Sequence, residues 1–173
     1  MKAILMVTGW VATLFWGVNQ AKALSVGDNV PDLAVSSTSG ESVNLRDIND
    51  RWKIVYFYPK SFTPGCTRQA CGLRDSKAEL DALNAVVFGV STDNLKSQND
   101  FKSKHELPFD LLADVDKKLT QAFGALGFMG MAKRMTFIIN PEGFVTDIID
   151  SVSVGSHESD VIKLLKIRQE QGG

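Results

Sequence analysis

A chain of 173 residues with 44% hydrophobic and 23% charged residues and a net charge of -1 has an ordinary globular composition and the length of one domain with a real core. It contains no long basic or acidic run, which excludes the electrostatic footprint of a nucleic-acid or polyanion binder.

The first 23 residues stand apart. Lys2 gives a short basic start, Ala3 to Val18 carries no charge, and Ala21-Lys22-Ala23 puts small residues where a signal peptidase needs them. The uncharged run is about 16 residues, short of the ~20 that span a bilayer. The expectation is an export signal over 1–23 that is cleaved after Ala23. An uncleaved membrane anchor is the main alternative, and a buried N-terminal helix the third. The mature chain, 24–173, would hold 17 basic and 20 acidic residues, a net charge of -3, and no stable membrane association is expected of it.

Beyond the signal, short alternating stretches at Leu33–Val35 and Ser42–Leu45 flank Thr38-Ser39-Gly40 and predict a small hairpin. Lys53-Ile-Val-Tyr-Phe-Tyr58 is β-branched and aromatic, the pattern of a buried central strand, and Pro59 ends it. From Pro64 to about Leu83 the apolar spacing turns helical. Ala85–Val90 predicts a second buried strand, Leu95–His105 a polar helix, Phe109–Leu112 a short strand, and Asp116–Phe123 a helix capped by Gly124. Residues 124–131 hold three glycines and two methionines without a period. They read either as a flexible loop or as an apolar rim of Phe128, Met129 and Met131. Arg134–Asn140 predicts a third buried strand, Phe144–Ile149 its return, and His157–Arg168 a closing amphipathic helix. Strands alternating with helices and ending in a hairpin and a helix predict a three-layer α/β domain around a mixed sheet.

The two cysteines, Cys66 and Cys71, carry the chemistry. An even cysteine count in an exported protein points first to a structural disulfide. A 150-residue mature domain does not need one. Thr63 is a favoured N-cap and Pro64 suits the first helical position, which sets Cys66 in the first turn. Unpaired N–H groups and the positive end of the helix dipole favour a thiolate there. Cys71 follows five residues later. On an ideal helix that separation puts the Cα atoms ~8.6 Å apart, beyond the ~7 Å a disulfide tolerates. The pair therefore reads as a dithiol that bridges only after local unwinding. Metal chemistry fits poorly, because only His105 and His157 accompany the cysteines and the spacings match no familiar zinc site. Both histidines are expected to face solvent.

These residues carry a likeness. Pro59-x-x-x-Thr63-x-x-Cys66, extended by Thr63-Pro-Gly-Cys-Thr-Arg-Gln-Ala-Cys-Gly-Leu-Arg-Asp75 and by Arg134-Met-Thr-Phe-Ile-Ile-Asn140, resembles the peroxiredoxins of the bacterioferritin comigratory protein or Q type. The resemblance implies a thioredoxin-like fold in its peroxiredoxin elaboration, with no metal, haem or flavin. It implies Cys66 as the peroxidatic thiolate, Cys71 as the resolving thiol, Thr63 as hydroxyl donor to peroxide and thiolate, Pro59 as a shield, and Arg134 as the cation at the reacting atoms. It also implies a hydroperoxide substrate, a thioredoxin-like dithiol reductant and a monomer, and the export signal over 1–23 would place the chain in a periplasm or thylakoid lumen. Two rivals make different predictions. An exported thiol–disulfide oxidoreductase would reduce protein disulfides instead of peroxide, and a non-enzymatic domain with a structural disulfide would lose stability on reduction.

Overall fold

The computed structural model describes residues 22–172; the apolar segment on which most of the export-signal expectation falls lies outside them. The chain runs β1 (Ala34–Ser37), β2 (Ser42–Asn44), β3 (Trp52–Phe57), α1 (Pro64–Asp75), α2 (Lys77–Ala82), β4 (Ala85–Ser91), α3 (Leu95–Lys104), β5 (Asp110–Ala113), α4 (Lys118–Ala122), β6 (Met135–Ile139), β7 (Val145–Ile149) and α5 (His157–Gln171). Seven strands form one sheet in the order β2-β1-β5-β4-β3-β6-β7. β3, β4 and β5 are parallel neighbours, and antiparallel strands extend the sheet on both sides.

The layering follows from the two-residue period of β3. Ile54, Tyr56 and the following Tyr58 enter a core with Ala70 and Leu73 of α1, Phe101 of α3, and Val161 and Leu165 of α5. Val55 and Phe57 point the other way, into a core with Leu119 of α4, Phe123 and Phe137. Three of those rings interlock, with centroids 4.8 to 5.7 Å apart. Lys53 is fully buried at the start of β3, and its ammonium donates to the carbonyls of Ile48, Arg51 and Pro141. Gly89 in β4 is a steric requirement. A β-carbon there would stand 2.6 Å from both Leu111 Cδ2 and Tyr56 Oη.

Three expectations need correction. The helix expected over Pro64–Leu83 is two helices, because Ser76 leaves helical geometry at φ -94°, ψ 10°. The helix expected from Asp116 starts at Lys118, since Lys117 is left-handed (φ 62°) and the carboxylate of Asp114 caps the amides of Leu119 and Thr120 instead. Residues 124–133 form a hydrogen-bonded finger rather than a flexible loop. Leu126 pairs with Ala132, Gly127 N–H donates to Met131 O at 2.8 Å, and Lys133 N–H donates to Ala125 O at 2.7 Å. Phe128 and Met129 at its tip are 89% and 79% exposed.

Candidate active site

β3 delivers the chain to the carboxyl edge of the sheet, the usual place for an α/β site. Tyr58 N–H still bonds Val90 O, and half-buried Pro59 then breaks away. The turn that follows is held by Asp93, whose carboxylate accepts the Ser61 amide at 2.7 Å. Phe62 adopts the left-handed conformation at φ 66°, a strained choice for an aromatic residue, and packs against Phe101 with ring centroids 5.3 Å apart. Thr63 returns to extended backbone and Pro64 opens α1.

The expected N-terminus of α1 is therefore present, but the Thr63 hydroxyl does not cap it. It donates to Lys60 O at 3.0 Å, and no side chain caps the helix. The same bond ties that hydroxyl to the loop ahead of the helix. Cys66 sits in the first helical turn and is 1% exposed, so its thiol lies in a recess of the core. Cys71 is half-buried, five residues further along the same unbroken helix, and both thiols are free. It opens on a cleft of about 240 Å³ lined by Arg68, Asp75, Val154 and Glu158 among others.

Arg134 comes to Cys66 from across the sheet. β6 pairs antiparallel with β3 in a register that sets Phe57 opposite Met135, so Arg134 stands just past the strand ends, where α1 begins. Its Nη2 lies 3.4 Å from Cys66 Sγ, and its Nη1 donates to Gln69 Oε1 at 2.6 Å. Gly65 makes room for this approach, since a β-carbon at that position would stand 3.2 Å from Arg134 Nη2. A guanidinium and an uncapped helix N-terminus thus converge on one buried sulfur, an arrangement suited to stabilising negative charge on sulfur and on oxygens beside it.

Of the expected site residues, Cys66 and Arg134 are in contact; Pro59 and Thr63 shape the loop that leads to them, and Cys71 lies apart. Gln69, Thr136 and His157 belong behind this contact and went unrecognised. Gln69 had a readable signal, because it lies three residues after Cys66 on the same helix and so shares its face. His157 corrects an expectation: it is 1% exposed, not solvent-facing, because the first turn of α5 docks onto the sheet beside Thr136. Burial and the Arg134 charge push its pKa down to about 4, against the opposing pull of Asp160. His105 is half-buried and packs edge-on to Phe101, with centroids 5.0 Å apart. Burial also pushes the phenols of Tyr56 and Tyr58 upward, so both stay neutral beside the thiol. Among the described residues, no three His, Cys, Asp or Glu side chains cluster as a metal site.

The model of the AhpC/TSA family matches residues 26–148. The chain is 41% identical over 150 residues to the putative peroxiredoxin bcp of Haemophilus influenzae, covering 83% of this chain and 97% of the relative. It is 39% identical over 150 residues to peroxiredoxin Bcp of Escherichia coli strain K12, covering 83% and 96%. Among solved structures, the bacterioferritin comigratory protein of Xanthomonas campestris, described in connection with alkyl peroxide reduction, superposes with a TM-score of 0.78 at 32% identity, covering 83% of this chain and 99% of that one. A cysteine variant of Xylella fastidiosa PrxQ superposes with a TM-score of 0.81 at 27% identity, covering 86% and 99%.

Proposed function

Because this chain belongs to the AhpC/TSA family and is a thiol-dependent peroxidase of the Bcp and peroxiredoxin Q kind, we propose that Cys66 is its attacking thiolate and Cys71 its resolving thiol. The observation that carries the assignment is the Arg134 guanidinium on the buried Cys66 sulfur in the first turn of α1.

In the first step the Cys66 thiolate attacks the terminal peroxide oxygen and the O–O bond breaks. The leaving oxygen takes a proton and departs as water or an alcohol, while sulfur becomes a sulfenic acid. Arg134 spans sulfur and peroxide oxygens as the negative charge moves between them. Pro59 shields the sulfur. Thr63, freed of its bond to Lys60 O, supplies a hydroxyl to the peroxide. In the second step α1 unwinds, the Cys71 sulfur attacks the sulfenic sulfur, and water leaves as the disulfide forms. A thioredoxin-like dithiol protein then reduces the disulfide and is itself oxidised. The substrates are hydrogen peroxide and organic hydroperoxides, the role antioxidant defence, and the working unit a monomer, because both sulfurs lie on one helix of one chain.

The same reading makes residues 1–23 an export signal and 24–173 the working domain of a periplasmic or thylakoid-lumenal enzyme. Leu24 N–H is tied to Ala122 O at 3.2 Å, so a chain that starts at Leu24 keeps its first residue anchored to the domain. A mature N-terminus other than Leu24 would reject that boundary.

Stopped-flow peroxide consumption by the mature protein and two variants tests the assignment. Cys66→Ser is expected to be inactive. Cys71→Ser is expected to complete one turnover and stall as a sulfenic acid that is trapped by dimedone and prone to over-oxidation. Turnover by Cys66→Ser would sink the assignment.

A further inference from the structure

Behind the Cys66–Arg134 contact lies a row of polar side chains that peroxide does not reach. Gln69 of α1, Thr136 of β6 and His157 of α5 are each at most 1% exposed. Gln69 Oε1 takes Arg134 Nη1 at 2.6 Å. Gln69 Nε2 faces the imidazole, 3.4 Å from Nδ1 and 3.5 Å from Nε2 of His157. His157 Nε2 lies 2.8 Å from Thr136 Oγ1.

A carboxamide has an acceptor end and a donor end, and burial makes an unmatched end costly. Arginine offers donors only, so the oxygen of Gln69 must face Arg134 and its NH2 must find an acceptor on the other side. The face of a neutral imidazole is that acceptor, because an amide nitrogen nearly equidistant from both ring nitrogens stands over the ring and not in its plane. The ring edge is engaged by Thr136 at Nε2, which leaves the face to Gln69. Imidazolium would present a positive face that repels an N–H. Gln69 would then lose its partner, and turning the amide over would point its NH2 at the guanidinium. The surroundings keep the ring neutral. Arg134 approaches from the sheet, Tyr56 stands beside it with ring centroids 6.4 Å apart, and Asp160 on its own helix is the counter-charge.

We propose that His157 is a positioning residue of the peroxidase: as a neutral acceptor it fixes the orientation of Gln69, and through Gln69 it holds Arg134 on Cys66. The proposal rests on Cys66 being the attacking thiolate. It gives the buried histidine a part in chemistry it never touches.

The test compares His157→Leu with His157→Asn, whose side-chain oxygen can accept from Gln69. His157→Leu is expected to slow the peroxide reaction about tenfold, the effect of losing roughly one charge-assisted hydrogen bond at the reacting sulfur. It should also raise the pH at which Cys66 reacts with iodoacetamide, with KM for the reductant unchanged. His157→Asn should recover most of both. A His157→Leu protein that folds and keeps the parent's rate and alkylation profile would overturn the proposal. Should His157→Leu fail to fold, the acid limb decides. Below about pH 4 the parent's alkylation should fall as the second power of proton concentration, one proton for the thiolate and one for His157, whereas His157→Asn should keep a first-power fall; the same power in both would also overturn it. Alkylation needs no peroxide turnover. A parent that consumes no peroxide therefore refutes the functional assignment, while an unchanged alkylation profile refutes the positioning role alone.

Discussion

Arg134 Nη2 lies 3.4 Å from Cys66 Sγ although 68 positions separate the two residues in the chain. The guanidinium fork makes this contact while its other arm holds Gln69. A lysine has its donors on a single nitrogen and lacks the fork whose two arms reach both partners. Arg134→Lys is expected to lower the second-order rate with hydrogen peroxide by about 10- to 100-fold, with a stability change within about 1 kcal/mol. Stopped-flow kinetics beside a thermal melt measure both, and a parent-like rate would remove Arg134 from the chemistry.

Gly65→Ala should separate activity from stability. Alanine is worth up to about 1 kcal/mol over glycine inside a helix, so the melting temperature should hold or rise. The added methyl would stand 3.2 Å from Arg134 Nη2 and displace the guanidinium from the sulfur, so the peroxide rate should fall. A variant as fast as its parent would mean that Arg134 has slack to move.

Stability should depend on pH through His157. The ring titrates near 4 in the folded protein, against 6.5 for the unfolded reference. Above about pH 6.5 it is neutral in both states and its contribution is complete. As pH falls toward 4 the unfolded chain binds a proton that the native protein refuses, so stability drops by up to about 3 kcal/mol. Urea midpoints at pH 7 and 4.5 should show this, and His157→Asn should flatten the difference. An equally steep drop in His157→Asn would place the titrating group elsewhere.

Disulfide formation should unwind α1 and spare the sheet. The break at Ser76 sets the limit of that unwinding, so α2 should keep its amide protection while Thr67, the first amide bonded in α1, to about Gly72 loses it. β3, β4 and β6 should stay protected. Hydrogen exchange on the reduced and oxidised protein reads this directly, and uniform loss across the sheet would mean global unfolding instead of a local switch.

Much of the scaffold was legible because its causes are local. The β-branched and aromatic run at 53–58, the breaker Pro59, the Thr63-Pro64 start of α1 and the five-residue spacing of Cys66 and Cys71 act over one strand or one helical turn. They sufficed for the strand, for the place of Cys66 on its helix, and for the conclusion that an intact helix keeps the two sulfurs apart. Helix ends were less legible. Ser76 and Lys117 carry no strong breaking signal; α1 stops where Ser76 leaves helical dihedrals, and the Asp114 carboxylate fixes where α4 starts. The finger at 124–133 was read as a period-free segment, because its order comes from cross-chain backbone bonds and not from side-chain pattern.

What the sequence by itself determined is thus the place of Cys66 in the first turn of its helix and its spacing from Cys71. What only the tertiary structure decided is the company Cys66 keeps. Arg134 reaches it because β6 pairs with β3 in the register that sets Met135 opposite Phe57. His157 turns inward because α5 docks on that same sheet, beside Thr136. Period and propensity say which face of an element is apolar, but not which distant element covers it; strand register and helix docking settle that, and with it which polar groups meet behind the sulfur.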